Sequence, residues 1–282
     1  MKHWLLGATL LFFAGAAHAS EPVPVPADGD EDEILIRDDK NTVRVGAALA
    51  YMPEYSGSSE QMFRVLPLVS FSDIAGFEFN GLSLSYPLVN IGTGTGPGKW
   101  SLKAGPRAGF EFGRDSEDSE TLTGFEDIDP SLLLGGAARL TVGVLGFRVD
   151  AGQDVIGGHD GFTADVSVGT YIPPGLLVDK LSFQPALTLS WADGNYNQTL
   201  YGVTEAQALA SGLPETPLDA GFHRASATLL GWYDLSDRVQ LSAIVSYREY
   251  LGDYRDSPIL RAPDGATNDV FATMGVSYKF SL

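Results

Sequence analysis

From Thr42 onward, apolar and polar positions alternate along the chain. In 270–282, Ala272, Met274, Val276, Tyr278, Phe280 and Leu282 share one parity. Thr273, Gly275, Ser277, Lys279 and Ser281 share the other. In 181–191 the set is Leu181, Phe183, Pro185, Leu187, Leu189 and Trp191, against Ser182, Gln184, Thr188 and Ser190. In 162–168, Phe162, Ala164, Val166 and Val168 oppose Thr163, Asp165 and Ser167. A period of two is the signature of a strand, whose successive side chains point to opposite faces. The one helical stretch that the pattern predicts is short, near 204–211.

Alternation alone fits a soluble sandwich or a transmembrane barrel, which differ in where the apolar face points. Strand length separates them. Several segments exceed the ~9–11 residues that a tilted strand needs to cross a bilayer, whereas strands average ~5–6 residues in globular proteins. Loop lengths then give an orientation. Short connections at Gly143, 172–179 and 235–237 alternate with long ones at 51–61, 113–130, 193–221 and 251–268. Short turns are expected in the periplasm and long loops outside, and 92–98 is a periplasmic turn. Splitting the chain at Asn80-Gly81, a strong hairpin signal, makes the strand count even. The expected fold is all-β: a transmembrane antiparallel up-and-down β-barrel of twelve strands, with ten as the alternative. The strands fall at roughly 42–51, 62–71, 76–79, 82–91, 99–112, 131–142, 144–154, 161–171, 180–192, 222–235, 237–250 and 269–282.

The amino-terminal segment has a different texture. Lys2 and His3 precede an apolar run from Trp4 to Ala16, and Ala17-His18-Ala19 is a small-x-small site. This predicts an export signal over 1–19, cleaved after Ala19. The run is too short for a spanning helix, which takes roughly 20 residues. Residues 20–41 predict an acidic, proline-containing periplasmic tail. Pro22, Pro24 and Pro26 block a ladder, and Asp28 to Glu33 is almost wholly acidic. The barrel domain is then 42–282.

Composition narrows the function. The 36 acidic residues against 18 basic ones give a net charge of −18. That argues against a nucleic-acid partner, which needs surplus Lys and Arg. The chain has no cysteine, hence no disulfide, thiolate zinc site or cysteine nucleophile. His159-Asp160, in a glycine turn, has the residue types of a hydrolase relay. No G-x-S-x-G elbow accompanies it, so a structural turn is the expectation. His159 and His223 alone make a poor zinc set. The acidic run Asp115, Glu117, Asp118, Glu120, Glu126, Asp127 and Asp129 has calcium-like ligands but not EF-hand spacing, and reads as a solvated loop. Gly92 to Gly96 is glycine-rich without a following Gly-Lys-Ser/Thr, hence a flexible turn. No catalytic, cofactor-binding or metal residue is assigned. Arg107, Arg139 and Arg148 are expected to line or plug the lumen.

Short motifs spread from Thr42 to Leu282 carry a resemblance. They are Pro53-Glu54-Tyr55-Ser56-Gly57-Ser58, Gly105-Pro106-Arg107 followed by Gly113-Arg114, and Leu122-Thr123-Gly124-Phe125. Gly158-His159-Asp160-Gly161, Tyr201-Gly202-Val203 with Glu205-Ala206, and Leu251-Gly252-Asp253-Tyr254 with Asp256-Ser257-Pro258-Ile259 complete the set. Together they resemble the MipA/OmpV family of outer-membrane proteins. The resemblance implies an outer-membrane barrel in contact with lipid. It implies a non-enzymatic scaffold that joins a lytic transglycosylase to a penicillin-binding protein in murein synthesis and remodelling. Other members are described as surface antigens or adhesins, and a small-solute channel is the competing reading of the barrel. The motif positions Pro53, Tyr55, Gly57, Gly105, Pro106, Arg107, Gly113, Arg114, Gly158, His159, Gly161, Tyr201, Gly202, Asp256, Ser257 and Pro258 are expected to be structural or interaction residues.

Overall fold

The computed structural model describes residues 41–94 and 96–281. The expected export signal, nearly all of the acidic tail and Leu282 lie outside the described residues. The strands are β1 (Thr42–Pro53), β2 (Gln61–Ile74), β3 (Phe77–Asn80), β4 (Ser83–Ser85), β5 (Val89–Gly92), β6 (Trp100–Glu111) and β7 (Ser131–Val142). They continue as β8 (Leu145–Asp154), β9 (Phe162–Thr170), β10 (Leu181–Ala192), β11 (Gly221–Asp234), β12 (Val239–Tyr250) and β13 (Asn268–Ser281). Chain neighbours pair antiparallel around the sheet. β1 pairs with β13 from Thr42↔Ser281 to Tyr51↔Ala272. β4 and β5 both pair with β6 and together fill one position in the wall. The result is a closed antiparallel barrel of twelve strand positions.

Burial along the strands is inverted relative to a soluble protein. In β13, Met274, Val276, Tyr278 and Phe280 are exposed, while Ser277 and Asp269 are buried. In β10, Leu187 and Leu189 are exposed, while Gln184, Thr188 and Ser190 are buried. Inward hydroxyls pair across the lumen wall, as in Ser167–Thr188 (2.9 Å) and Thr228–Ser246 (2.8 Å). An outward apolar band and a polar interior suit a wall solvated by lipid. Closure pairs the strand edges that hydrocarbon could not hydrogen-bond.

Two local details differ from the sequence reading. The hairpin after β3 turns at Gly81-Leu82, because Asn80 is paired with Ser83. Gly81 carries the positive φ (62°), as the first central residue of a tight hairpin requires. The expected single strand 82–91 is interrupted at Tyr86-Pro87-Leu88. Pro87 has no N–H for a ladder, and the Tyr86 N–H instead bonds the Pro106 carbonyl at 3.1 Å. The bulging backbone lies over Gly105, where a Cβ would sit 2.0 Å from the Tyr86 carbonyl oxygen. That explains a glycine at the head of Gly105-Pro106-Arg107.

The long loops fold on themselves. The expected helix near 204–211 is α2 (Glu205–Ser211), started by a capping box between Thr204 and Gln207. The pattern did not predict α1 (Gly194–Tyr201) or α3 (Pro258–Arg261). Asp193 caps α1 through the Tyr196 N–H, and Ser257 caps α3 through the Ile259 N–H.

Candidate functional site

The motif positions converge on two places, an outer cap and the lumen wall beneath it. The cap is assembled from the long loops after β1, β6, β8, β10 and β12. Its core is Tyr55, Leu122, Phe125, Ile128, Tyr196, Leu200, Tyr201, Val203, Tyr250, Tyr254, Ile259 and Leu260, all buried. Pro53 and Tyr55 enter it from the first loop, and a Cβ on Gly57 would meet the Leu260 side chain at 2.9 Å. A Cβ on Gly113 would strike the Ile128 carbonyl oxygen at 1.8 Å, where Arg114 and Ile128 form a bridge. The buried Arg114 donates through Nη1 to the Leu200 carbonyl (2.7 Å), near the end of α1. A guanidinium there complements the negative end of the helix. Ser257 Oγ donates to the Tyr201 carbonyl (2.5 Å), and a Cβ on Gly202 would collide with Gln198. Pro258 is the first residue of α3, where its missing N–H costs no helical bond. Asp256 forms an ion pair with Arg261 at 2.9 Å.

His159 is part of this packing. It is buried, stacks edge-on against Tyr196, and its Nδ1 accepts the Gly161 N–H (2.9 Å). Its Nε2 lies 3.3 Å from Glu111, and its backbone N–H donates to Asp154. The carboxylate beside the ring is thus Glu111 rather than the adjacent Asp160. Gly158 and Gly161 flank it because neither has room for a side chain: Cβ atoms there would lie 2.2 Å from Ser131 Oγ and 2.5 Å from the Tyr196 nitrogen. Imidazole, tyrosine ring and turn pack together at the base of the cap.

The acidic run serves as turn scaffolding. Asp115 accepts the Glu117 N–H, and Asp127 accepts both the N–H and the hydroxyl of Ser116. Those bonds hold the Asp127 carboxyl below its ordinary range. Among the described residues, no three His, Asp or Glu side chains gather as a metal site.

Asp264 ties the cap across its loops, accepting from Ser119 Oγ and Thr121 Oγ1. Burial pushes its carboxyl up, and the two hydroxyls more than offset this, leaving it below 3.8. A carboxyl lowered in the folded state adds stability above its unfolded value and loses it as pH falls through the folded one. The cap is therefore expected to hold at neutral pH and to loosen below pH about 4. Acid-protease cutting in 116–122 should rise there in the wild type. Asp264→Asn should already show raised cutting at pH 5; an unchanged pattern would refute the tie.

The sequence did not reveal the ring cluster of Tyr196, Tyr201, His223, Tyr250 and Tyr254, with centroids 5.3–6.5 Å apart. These residues come from α1, two strands and a loop, so no local spacing unites them. Asn197, buried among them, donates to the carbonyls of Ala192 and Asp219 and to Tyr254 Oη (2.8–3.0 Å).

The lumen holds the expected arginines. Lys103, Arg139 and Arg148 are direct cross-strand partners on β6, β7 and β8. Lys103 lies 3.5 Å from Glu78; Arg148 pairs with Asp150, and Arg107 reaches the same carboxylate at 3.4 Å. Arg107 Nε also donates to Ser83 Oγ (2.8 Å), joining β6 to β4. Higher up, buried Arg248 pairs with its cross-strand partner Asp269.

The family profile described as MltA-interacting protein MipA matches residues 45–280. The Escherichia coli K12 protein YiaT, whose name describes an outer membrane protein, is 30% identical over 134 residues. That match covers 47% of this chain and 50% of YiaT, so the chain spans about half the length of this curated relative. Among solved structures, the COG4313 outer membrane channel from Pseudomonas putida F1 aligns with a TM-score of 0.41 and 11% identity. The alignment covers 90% of this chain and 100% of the channel. OmpT of Vibrio cholerae aligns with a TM-score of 0.37 and 9% identity, over 88% of this chain and 100% of OmpT. With the profile spanning nearly the whole described barrel, the chain belongs to the MipA family and is an outer-membrane β-barrel.

Proposed function

We propose that this barrel is a non-enzymatic interaction protein that gathers murein synthesis and remodelling enzymes at the inner face of the outer membrane. The partner classes are those that the resemblance implies, a lytic transglycosylase and a penicillin-binding protein; the family description itself says only that its namesake interacts with MltA. The observation that carries the reading is the turn between β9 and β10. Leu176 and Leu177 at its tip are 68% and 67% exposed, with Val178 beside them. An apolar pair on a periplasmic turn suits a protein partner, since such patches mark interaction sites. The long outer loops pack many apolar side chains into the cap, while Val155, Ile156 and Leu209 of those loops stay exposed.

The test is a crosslinked pull-down from solubilised envelope. The wild type should capture both enzyme classes, and Leu176→Ser with Leu177→Ser should reduce capture at least tenfold at equal barrel levels. Equal capture by the double variant would reject the turn. Capture of neither enzyme class by the wild type would reject the scaffold. The small-solute channel is the second reading, favoured by the polar, charged lumen, and single-channel conductance measures it directly.

A further inference from the structure

Closure of the barrel leaves one stretch of strand edge open, beside the outer half of β2. That strand has fourteen residues and pairs with β1 along its length, from Thr42↔Ser72 to Pro53↔Gln61. On its other side, the ladder to β3 holds only Ser70, Phe71 and Ile74. β3 and β4 have four and three residues, and they turn back at the level of Val69, whose carbonyl accepts the Gly81 N–H (3.0 Å). Among the described residues, no strand continues this ladder over 61–68. Exposure follows the gap. Phe63 and Val65 on the outer face are 69% and 70% exposed, against 39% for Val69 beside the hairpin.

The edge is shaped to stay unpaired. Main-chain groups along an antiparallel strand alternate between its two neighbours. Val69 turns its carbonyl to the hairpin, so Pro67, Val65 and Phe63 present theirs to the same side. Pro67 thus stands, with no N–H, where an added strand would need a donor; prolines so placed block edge pairing. A partner's strand is therefore a poor occupant. The N–H groups of Phe63 and Val65 remain. Phe63 packs against Tyr51 with ring centroids 5.2 Å apart, as in an aromatic belt at the membrane–water interface. Donors near that depth are within reach of lipid ester carbonyls, whereas unsatisfied donors deeper in hydrocarbon are costly.

Behind the notch the inner wall is apolar. Met62 and Leu66 pack against Ala50, Met52 and Phe271. A Cβ on Gly275 would lie 2.6 Å from Leu68 Cδ1, so that glycine leaves room for Leu68 against the inner wall. Arg64, between Met62 and Leu66, turns its Nε to Met62 Sδ (2.8 Å). Elsewhere the lining is polar, as at Ser167, Thr188, Thr228 and Ser246. An apolar inner surface beside an open edge is continuous with the lipid-facing surface of the barrel.

We propose that the notch is a binding site for one ester-linked acyl chain of an outer-leaflet lipid. The chain enters sideways above Gly81 and lies against Leu66 and Leu68. Its ester carbonyl accepts from the main-chain donors of Phe63 and Val65. The lipid then completes the wall where the strands do not.

The absence of cysteine permits a direct test. Single spin labels are placed at Leu66→Cys behind the notch, at Val65→Cys on the lipid face and at Ser242→Cys on the lumen wall. Ser242, Gly275, Ala48 and Leu66 form one cross-strand row. The protein is isolated from the outer membrane and placed in phosphatidylcholine vesicles, and heat-shifted migration checks that each variant has folded. Collision with oxygen, which partitions into acyl chains, is compared with collision with a water-soluble nickel chelate. The oxygen-to-nickel ratio at Leu66 should lie within twofold of that at Val65 and at least fivefold above that at Ser242. A ratio like that at Ser242 would mean a watery lumen, and a label reached by neither reagent would mean a dry core; either overturns the proposal. Met62→Cys reads the same interior and carries the test if Leu66→Cys does not fold. A second measurement identifies the occupant. Photoreactive benzoylphenylalanine in place of Leu66 should gain the mass of one phosphatidylcholine on irradiation, and in place of Ser242 it should gain none. No lipid adduct at Leu66, or a crosslink there to a second copy of the chain, overturns the lipid assignment.

Discussion

Val276→Arg is expected to reduce the folded fraction in the outer membrane far more than Ser277→Arg. The two residues are adjacent on β13, so strand propensity, depth and distance from the terminus are nearly equal. They differ in face. Val276 is 46% exposed on the outer wall, next to Ala47 and Leu241. Ser277 is buried toward the lumen, between Gly46 and Gln240. A cation on the lipid face costs ~2–4 kcal/mol near the midplane, or roughly a thirty- to thousandfold shift in equilibrium at 1.4 kcal/mol per tenfold. On the lumenal face the guanidinium points toward the polar side of the wall, beside Gln240 across the ladder. Heat-shifted migration measures the folded fraction for both. Equal losses would undo the facing assignment, and a reversed order would mean an apolar interior.

The same alternation explains why so much of the wall was legible. A barrel strand is solvated by lipid on one side and lined by polar groups on the other, so side-chain parity records its environment residue by residue. The β13 assignment followed from parity alone, and Tyr278 and Phe280 are exposed near its end. Legibility failed where backbone geometry overrode parity. Leu82, Leu84 and Leu88 share the parity of a continuous strand, yet the ladder breaks because Pro87 cannot donate and Tyr86 turns to Pro106. At the β3 hairpin the Asn-Gly signal was sound, but pairing of Asn80 with Ser83 moved the turn one residue onward.

The cap was legible only in its punctuation. The pattern predicted the short helix near 204–211, and in the structure a capping box of Thr204 and Gln207 starts it. Asp193 caps α1 in the structure, and that helix has only eight residues. Isolated helices of that length are marginal in water. Its stability comes from Tyr196, Leu200 and Tyr201 packing against loops far along the chain. The glycines of the motifs marked where backbone meets backbone, without saying which one.

Gly105→Ala is expected to damage the barrel strongly, and Gly109→Ala to be nearly silent. Both glycines lie on β6 and point to the lumen, and neither has a positive φ. Backbone conformational freedom therefore changes alike in the two variants. Surroundings differ. At Gly105 the new Cβ would lie 2.0 Å from the Tyr86 carbonyl oxygen and 2.8 Å from the Leu88 nitrogen. These are main-chain atoms, so the clash is relieved only by moving the junction between β4 and β5. That movement breaks the Tyr86 to Pro106 hydrogen bond and loosens the wall position that closes onto β6. Overpacking of this kind costs about 1–3 kcal/mol when neighbours can adjust, and more when they cannot. At Gly109 the Cβ would meet only the Arg107 guanidinium, at 2.9 Å, the mobile end of a long side chain. Gly105→Ala should lower the heat-shifted fraction at least tenfold, while Gly109→Ala should leave it within a factor of two. If the alanines were equally tolerated, the Tyr86–Leu88 bulge would not rest on β6 as described, and the closure of the barrel at that position would need another explanation.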